Sequence, residues 1–322
     1  MNAKQLSKSI SPFATDYFVT DGGLETTLIY QEGFELNHFA AFELLTYARG
    51  REALKNYYAS YLRIADDHNV SYILETPTWR ANPDWGHKLG YSSQDLNNLN
   101  EEAVTFLKIL QNELPLSPKK IIISGCIGPR GDGYIPGDCM SPQEAMDYHR
   151  EQIQTFSHAG ADLVTALTMN YPDEAIGIVQ AAKATNIPVV ISFTVETDGR
   201  LPNGETLREA ILMVDDATNQ YVEHFMINCA HPLHFSDSLA GDEPWKSRIR
   251  GIRANASTKS HAELDEAEEL DPGDKHLLSH GYAQLKNLLP EFRIVGGCCG
   301  TDHTHIEEVC QYFFKSEEAD AY

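Results

Sequence analysis

Short apolar runs alternate with longer segments of helical periodicity along most of this chain. The apolar runs predict eight strands, at residues 18–20, 70–74, 120–124, 162–168, 188–194, 224–228, 249–254 and 292–295. Between them, apolar residues recur at helical spacing and predict amphipathic helices, at residues 52–68, 94–110, 173–184, 205–219 and 275–288. Strands that alternate with helices predict an α/β fold, a (β/α)8 TIM barrel. No repeat or low-complexity linker divides the chain, so we expect one domain over residues 1–322.

Two further segments carry local signals. Ser141-Pro142-Gln143-Glu144 combines a capping serine, a proline in the first turn and a glutamate that can reach back to the serine. It predicts the start of a helix that ends near residues 158–160. Segment 261–274 holds seven carboxylates, and we expect it to be a solvated loop rather than part of a site.

Candidate functional residues fall where the predicted strands end. In a (β/α)8 barrel the functional site lies at the carboxyl ends of the strands, in the loops that follow them. That position is predicted for Asp21-Gly22-Gly23, Thr76, Cys126, Cys229 and Cys298-Cys299. Their common placement indicates a site at this end of the barrel.

Charge and cysteine content limit the classes of function. The formal net charge of −22 argues against non-specific binding to nucleic acid or to an anionic membrane. It favours a neutral or cationic small substrate, unless it serves only solubility. Residues 1–10 lack the apolar stretch of a secretory signal, and no apolar run approaches the length of a membrane span. We therefore expect a cytoplasmic protein, in which six cysteines indicate metal binding or catalysis rather than a disulfide framework.

Three cysteines are candidate zinc ligands. Cys298 and Cys299 are adjacent and lie between glycines, which allow the sharp turn that two neighbouring ligands need, and Cys229 is the natural third thiolate. Three sulfur ligands leave one tetrahedral position of Zn²⁺ open to an incoming ligand. A substrate thiol bound there is deprotonated but stays nucleophilic, because the other sulfurs already donate strongly. The set therefore favours alkylation of a thiol over hydrolysis.

Alternatives exist for each of these residues. Cys298 and Cys299 could form a redox-active disulfide, and a lone cysteine such as Cys229 is often a buried apolar residue. We expect the remaining cysteines to be of that buried class: Cys126, Cys139 and Cys310. His231 and His303 lie near the proposed ligands in sequence and either touch the site or belong to a loop and a helix start.

Several motifs together resemble the homocysteine S-methyltransferase family of zinc-dependent barrels. They are Asp21-Gly22-Gly23-Leu24-Glu25-Thr26, Gly160-Ala161-Asp162-Leu163, Ile191-Ser192-Phe193-Thr194-Val195, Asn228-Cys229 and Gly296-Gly297-Cys298-Cys299-Gly300-Thr301. The resemblance implies that Cys229, Cys298 and Cys299 bind Zn²⁺. It also implies that Asp21, Gly22, Gly23 and Thr76 hold the amino-acid part of the thiol. A carboxylate such as that of Asp21 suits an ammonium group, and the glycine amides suit a carboxylate.

The sequence departs from the family pattern at the end of the fourth strand. The family usually has a glutamate there, a further partner for the substrate ammonium, and the matching position is Leu167. An apolar side chain cannot replace such a hydrogen bond, typically worth ~1.5–3 kcal/mol. In the loop after the second strand, Trp79 and Trp85 could face a cationic donor or simply pack the loop, and Arg80 could meet a substrate carboxylate.

The sequence thus predicts a zinc-dependent S-methyltransferase. We expect it to move a methyl group from a sulfonium donor, S-methylmethionine or S-adenosylmethionine, to homocysteine and so to form methionine. Its partners are then a small-molecule thiol and a methyl donor, with no nucleic acid and no membrane; a monomer and a homo-oligomer both stay open. The alternatives are a zinc methyltransferase for a different thiol, as Leu167 suggests, and a non-catalytic redox or zinc-binding barrel.

Overall fold

Eight parallel strands close into a barrel in the order in which they occur along the chain. This arrangement is seen in a computed structural model, which describes residues 11–267 and 269–315. The strands are β1 (Phe18–Val19), β2 (Ser71–Glu75), β3 (Ile121–Ile127), β4 (Leu163–Met169), β5 (Val189–Phe193), β6 (Phe225–Asn228), β7 (Ile249–Ala254) and β8 (Ile294–Gly297). The predicted (β/α)8 TIM barrel is confirmed, while the expectation for residues 1–10 lies outside the described residues.

Helices surround the strands as an outer layer. They are α1 (Leu24–Thr26), α2 (Ala48–Asp67), α3 (Pro83–Lys88), α4 (Ser93–Glu113), α5 (Pro142–Ala159), α6 (Pro172–Thr185), α7 (Leu207–Thr218), α8 (Pro232–Phe235), α9 (His261–Asp265), α10 (Lys275–Leu288) and α11 (His303–Lys315). Neighbouring helices pack on one another, and α11 returns to α2 beside the closing pair of strands. Within the described residues, no helix combines the length and apolar character that crossing a membrane requires.

Most predicted strands are shifted by a few residues, and β7 has the predicted bounds. β3 continues past residue 124 because Gly125 and Cys126 still pair with β4. β8 runs to Gly297 because both of its glycines pair with the end of β7. Small and polar residues thus extend the ladders beyond the apolar runs that signalled the strands.

The barrel interior changes from apolar to polar along its axis. Near the amino ends of the strands, buried apolar side chains form one cluster: Phe13, Phe18, Ile73, Ile122, Leu163, Val190, Met226 and Ile294. Alternate residues of a strand point to the same face. Two positions further along, that inner face carries buried polar residues: Thr20, Glu75, Ser124, Thr165, Ser192 and Asn228. The apolar cluster therefore forms the floor under a polar upper half.

The predictions for the helix start at Ser141, for segment 261–274 and for the three remaining cysteines are only partly confirmed. The predicted capping box is confirmed, because the Ser141 hydroxyl accepts from the backbone N–H of Glu144 and α5 ends at Gly160, with φ 78°. Segment 261–274 contains α9 and is not entirely a loop; a second capping box, of Ser260 and Glu263, starts this helix. The burial expected for Cys139 is wrong, since this residue is exposed, whereas Cys126 and Cys310 are buried as predicted.

Candidate active site

Three cysteine sulfurs meet at the carboxyl end of the barrel. Cys229 follows β6, Cys298 and Cys299 follow β8, and their Sγ atoms all lie within 4.8 Å of one another. The end of β7 positions two of them, because the Cys229 N–H donates to Arg253 O at 3.0 Å and the Cys298 N–H donates to Ala254 O at 2.8 Å. The structure therefore brings together the three residues predicted as metal ligands.

When its cysteines are reduced, this cluster offers a set of sulfur donors that fits a zinc ion. Zn–S bonds of ~2.3 Å place tetrahedral sulfurs about 3.8 Å apart, within the spread seen here. Cys229 and Cys298 form a disulfide in the structure, and Cys299 is free. A pair of sulfurs must be reduced before both can bind a metal. The redox alternative anticipated a bond between Cys298 and Cys299, and the bonded pair is a different one.

The Cys299 thiol has little tendency to ionise on its own. Burial raises its pKa to about 11, although a hydrogen bond from Tyr134 opposes the shift. The Tyr134 hydroxyl lies 3.7 Å from Cys299 Sγ. A cation at the cluster would supply the charge that keeps this sulfur a thiolate at neutral pH.

Asn228 fixes the backbone next to the first ligand. Its Oδ1 accepts from the Thr168 N–H at 2.9 Å and from the Ser192 hydroxyl at 2.6 Å. Its Nδ2 donates to the Thr168 hydroxyl at 2.8 Å. These bonds join the ends of β4, β5 and β6, where Thr168 and Cys229 both have left-handed backbones, with φ 62° and φ 56°. The amide of the Asn-Cys motif therefore holds a strained turn in place.

Arg253 is buried at the centre of the polar half, and no motif in the sequence indicates its role. Its guanidinium pairs with the carboxylates of Asp21 and Glu75, and its Nε donates to Gly297 O at 3.1 Å. All three side chains of this ion cluster are about 5% exposed. Burial raises the pKa of Asp21, and the neighbouring guanidinium counters that shift. The cluster links β7 to the ends of β1, β2 and β8.

The residues predicted to hold the substrate already take part in protein hydrogen bonds. The second oxygen of Asp21 accepts from the Tyr57 hydroxyl at 3.2 Å. The Gly23 N–H donates to Thr301 O at 3.0 Å, so it is not free to bind a substrate carboxylate. The Thr76 hydroxyl accepts from the Cys126 N–H at 2.9 Å. Their roles toward a substrate stay predictions.

All seven predicted site residues line an inner cavity. Its volume is about 630 Å³, including the open mouth. The seven residues are Asp21, Gly22, Gly23, Thr76, Cys229, Cys298 and Cys299. Its wall also includes Glu25, Glu75, Leu167 and Arg253. His231 and His303 do not line it; His231 instead accepts from the Leu233 N–H through its Nδ1 and caps α8.

A second, outer cavity of about 970 Å³ adjoins the first. Both are lined by Glu25, Thr26, Trp79, Tyr134 and Cys299. The wall of the outer cavity includes Leu264, Asp265 and Asp271, so segment 261–274 borders this cavity, although most of its described carboxylates are exposed as expected. His261 stacks on Tyr134 with 3.9 Å between ring centroids. The acidic segment thus contributes directly to the shape of this cavity.

Arg80 is held between Trp79, in the loop after β2, and Trp85 of α3. Its guanidinium carbon lies 3.9 Å from the ring centroid of Trp79 and 3.9 Å from that of Trp85. One nitrogen donates to Gly131 O at 3.0 Å, and burial lowers the Arg80 pKa to about 10, so it stays charged at neutral pH. Both tryptophans therefore pack against a protein cation, and the guanidinium borders the outer cavity.

Comparison with known proteins now identifies the family. The sequence profile of the homocysteine S-methyltransferase family matches residues 18–313, which is nearly the whole barrel. This chain belongs to the homocysteine S-methyltransferase family. The resemblance inferred from the motifs is thereby confirmed, and the chain is a methyltransferase of a family named for methyl transfer to homocysteine.

Individual relatives are distant but extend over most of the chain. Homocysteine S-methyltransferase 2 of Arabidopsis thaliana is 23% identical over 319 residues, which cover 91% of this chain and 92% of the relative. Selenocysteine Se-methyltransferase of Brassica oleracea var. italica is 23% identical over 317 residues, which cover 91% and 88%. The metallated homocysteine methyltransferase MmuM of Escherichia coli has a TM-score of 0.72 at 18% identity, covering 92% of this chain and 96% of that one. At this identity the structural likeness establishes the fold.

Proposed function

We propose that this chain is a zinc-dependent S-methyltransferase that moves a methyl group from S-methylmethionine or S-adenosylmethionine to homocysteine. The observation that carries the proposal is the cluster of three cysteine sulfurs, within 4.8 Å of one another, in the wall of the inner cavity. Cys299 also borders the outer cavity, so one residue of the cluster lines both spaces. Two adjoining cavities suit a reaction in which two small molecules must meet.

Cys229, Cys298 and Cys299 would hold the metal, and Asn228 would keep the first of them in position. Zinc held by three thiolates would supply a positive charge that favours the ionised form of a substrate thiol. The thiol then loses its proton to solvent, its sulfur forms a bond to the methyl carbon, and the S–CH₃ bond of the donor breaks. The donor leaves as a neutral thioether, so the transfer needs alignment more than acid–base catalysis.

The outer cavity suits a sulfonium donor that also carries a carboxylate. Asp132, Asp265 and Asp271 line it and favour a cation, whereas Arg80 offers a guanidinium to an anion. Trp79 and Tyr134 also line it, and a ring face not covered by Arg80 or His261 would attract a cation. Both candidate donors combine a sulfonium with an amino-acid carboxylate, and we therefore keep both. We further propose one domain over residues 1–322, acting in the cytoplasm, where the cysteines stay reduced.

Two observations favour alternatives. Leu167 lines the inner cavity in place of the expected glutamate, and one relative is named for transfer to selenocysteine. An acceptor other than homocysteine is therefore the second candidate.

A methyl-transfer assay that crosses thiols and selenols with methyl-labelled donors tests the proposal. We expect labelled methionine from homocysteine with at least one sulfonium donor. Cys299→Ser should abolish the activity, whereas Cys139→Ser, which changes an exposed cysteine that lines neither cavity, should retain it. Transfer only to another acceptor would establish the second candidate. Absence of transfer to every acceptor from a reduced, zinc-loaded protein would contradict the enzymatic proposal.

A further inference from the structure

Three carboxylates line the inner cavity, and they differ in their partners. Asp21 and Glu75 are both paired with Arg253. Glu25 forms no salt bridge with any other described residue, although it lines both the inner and the outer cavity. One carboxylate at the junction of the two cavities is therefore available to a ligand.

We infer that Glu25 binds the ammonium group of an amino-acid thiol while the thiol sulfur lies at the cysteine cluster. The inference rests on the proposed function, which it deepens by assigning the recognition of the amino group. Glu25 would then determine which thiols the enzyme accepts, favouring those that carry an amino group. The apolar side chain of Leu167, which lines the same cavity, cannot bind an ammonium group.

The backbone holds Glu25 at a fixed place relative to the metal ligands. Before it, the Gly23 N–H donates to Thr301 O, and a Cβ at Gly23 would lie only 2.6 Å from Cys298 O. After it, the Thr26 hydroxyl accepts from the Gly300 N–H at 3.2 Å. The turn that carries Glu25 is thus fastened on both sides to the segment that carries Cys298 and Cys299. The distance between Glu25 and the cysteine cluster is therefore fixed before a ligand binds to both.

The electrostatic surroundings of Glu25 favour a cationic partner. Burial is the main cause that raises its pKa to about 7, and the charge of Asp21 adds to it; a hydrogen bond from the Glu25 backbone N–H opposes the shift most, followed by the charges of Arg253 and Arg80. A desolvated carboxylate without a direct cation is stabilised when an ammonium approaches, through a charge-assisted hydrogen bond. Asp21 and Glu75 gain less, because each already has the Arg253 guanidinium as a direct cationic partner.

Binding of matched thiols to the zinc-loaded, reduced protein tests the inference. The pairs are homocysteine with 4-mercaptobutanoic acid, and cysteine with 3-mercaptopropanoic acid; within each pair only the amino group differs. For the wild type we expect the amino member to bind about 10- to 100-fold more tightly, the range of a hydrogen bond to a charged group. Glu25→Gln should reduce this ratio at least tenfold, with the affinity for the des-amino member changed less than about threefold.

Two controls keep the result interpretable. Glu32→Gln makes the same change on an exposed residue seven positions along the chain, and it should keep the wild-type ratio. Glu25→Asp keeps the charge on a shorter side chain and should retain part of the ratio. It also tests the role of Glu25 if Glu25→Gln does not fold. Zinc content and thermal unfolding are measured for each variant.

The possible outcomes separate the inference from the proposed function. An unchanged ratio in Glu25→Gln, or an equal loss for both members of each pair, overturns the role of Glu25. A higher KM for the sulfonium donor with an unchanged KM for the thiol also overturns it. Should only the cysteine pair bind, with a ratio that depends on Glu25, the inference stands and homocysteine as acceptor fails.

Discussion

Replacing Arg253 by methionine should destabilise the barrel strongly. The change leaves Asp21 and Glu75, both about 5% exposed, without their shared cation, and it removes the hydrogen bond from Nε to Gly297 O. Breaking a buried ion pair by removing one partner costs about 3–5 kcal/mol. Set against a typical unfolding free energy of about 5–15 kcal/mol, this loss is large. We expect a decrease of about 4 kcal/mol in the free energy of unfolding at pH 7.

The pH dependence of that loss provides a sharper test. Without Arg253, the folded state must keep two buried carboxylates charged or protonate them, so their folded pKa values rise above the ordinary values near 4. The penalty is then present at pH 7 and is relieved as the pH falls through the raised pKa values. At pH 5, one unit above the ordinary pKa near 4, each carboxylate can contribute at most about 1.4 kcal/mol to the penalty, since one pKa unit corresponds to that energy.

Urea unfolding of the reduced, metal-free protein between pH 5 and pH 7 measures both effects, since no metal then adds its own stabilisation. Glu75→Gln combined with Arg253→Met should recover about 1–2 kcal/mol relative to the sum of the single changes, because one unpaired charge is removed. A loss below about 1 kcal/mol that does not change with pH would refute the view that Arg253 neutralises the polar half of the barrel.

Three further predictions concern other parts of the site and the barrel. Asn228→Ala should weaken zinc binding about 10- to 100-fold in a chelator competition, because the turn that carries Cys229 loses its hydrogen bonds to Thr168 and Ser192, whereas an unchanged affinity would exclude its positioning role. Arg80→Met should raise the KM for the sulfonium donor about tenfold with little change for the thiol, and Arg80→Lys should not rescue it, because an ammonium cannot stack as a planar guanidinium does; steady-state kinetics with each substrate varied checks this. Burial lowers the pKa of His224 to about 3, so the protein should lose stability as the pH falls below about 6.5, by about 2 kcal/mol at pH 5 from this residue alone. His224→Leu should flatten that slope in urea unfolding, and an unchanged slope would exclude His224 as its source.

The fold was predictable because its signals are local. Apolar runs and helical periodicity repeat along the chain, and even β7, with two arginines, was placed with its observed bounds. Strand ends were less predictable, because the ladders continue through residues such as Glu75 and Gly297, whose fitness for the barrel depends on partners far away in sequence. Helix α9 was missed although its capping box, Ser260 with Glu263, was present as a signal.

The site divides in the same way. The meeting of the three cysteines could be predicted because adjacent thiols between glycines have few structural roles and are typical metal ligands. Arg253 could not, because its role exists only once the barrel closes and brings it to Asp21 and Glu75, which lie 232 and 178 residues away in sequence. The outer cavity was missed for a related reason: the acidic segment 261–274 looks solvated in sequence but packs beside Tyr134 through His261.

The dependence of methyl transfer on zinc tests the central claim most directly. Reduced protein is stripped of metal with a chelator and then titrated with Zn²⁺, while labelled methionine formed from homocysteine and a methyl-labelled sulfonium donor is measured by mass spectrometry. We predict no product without metal and a rate that rises in proportion to zinc until one ion is bound per chain. An equal rate in protein verified to be metal-free, or no labelled methionine at full zinc occupancy with either donor, would contradict the account.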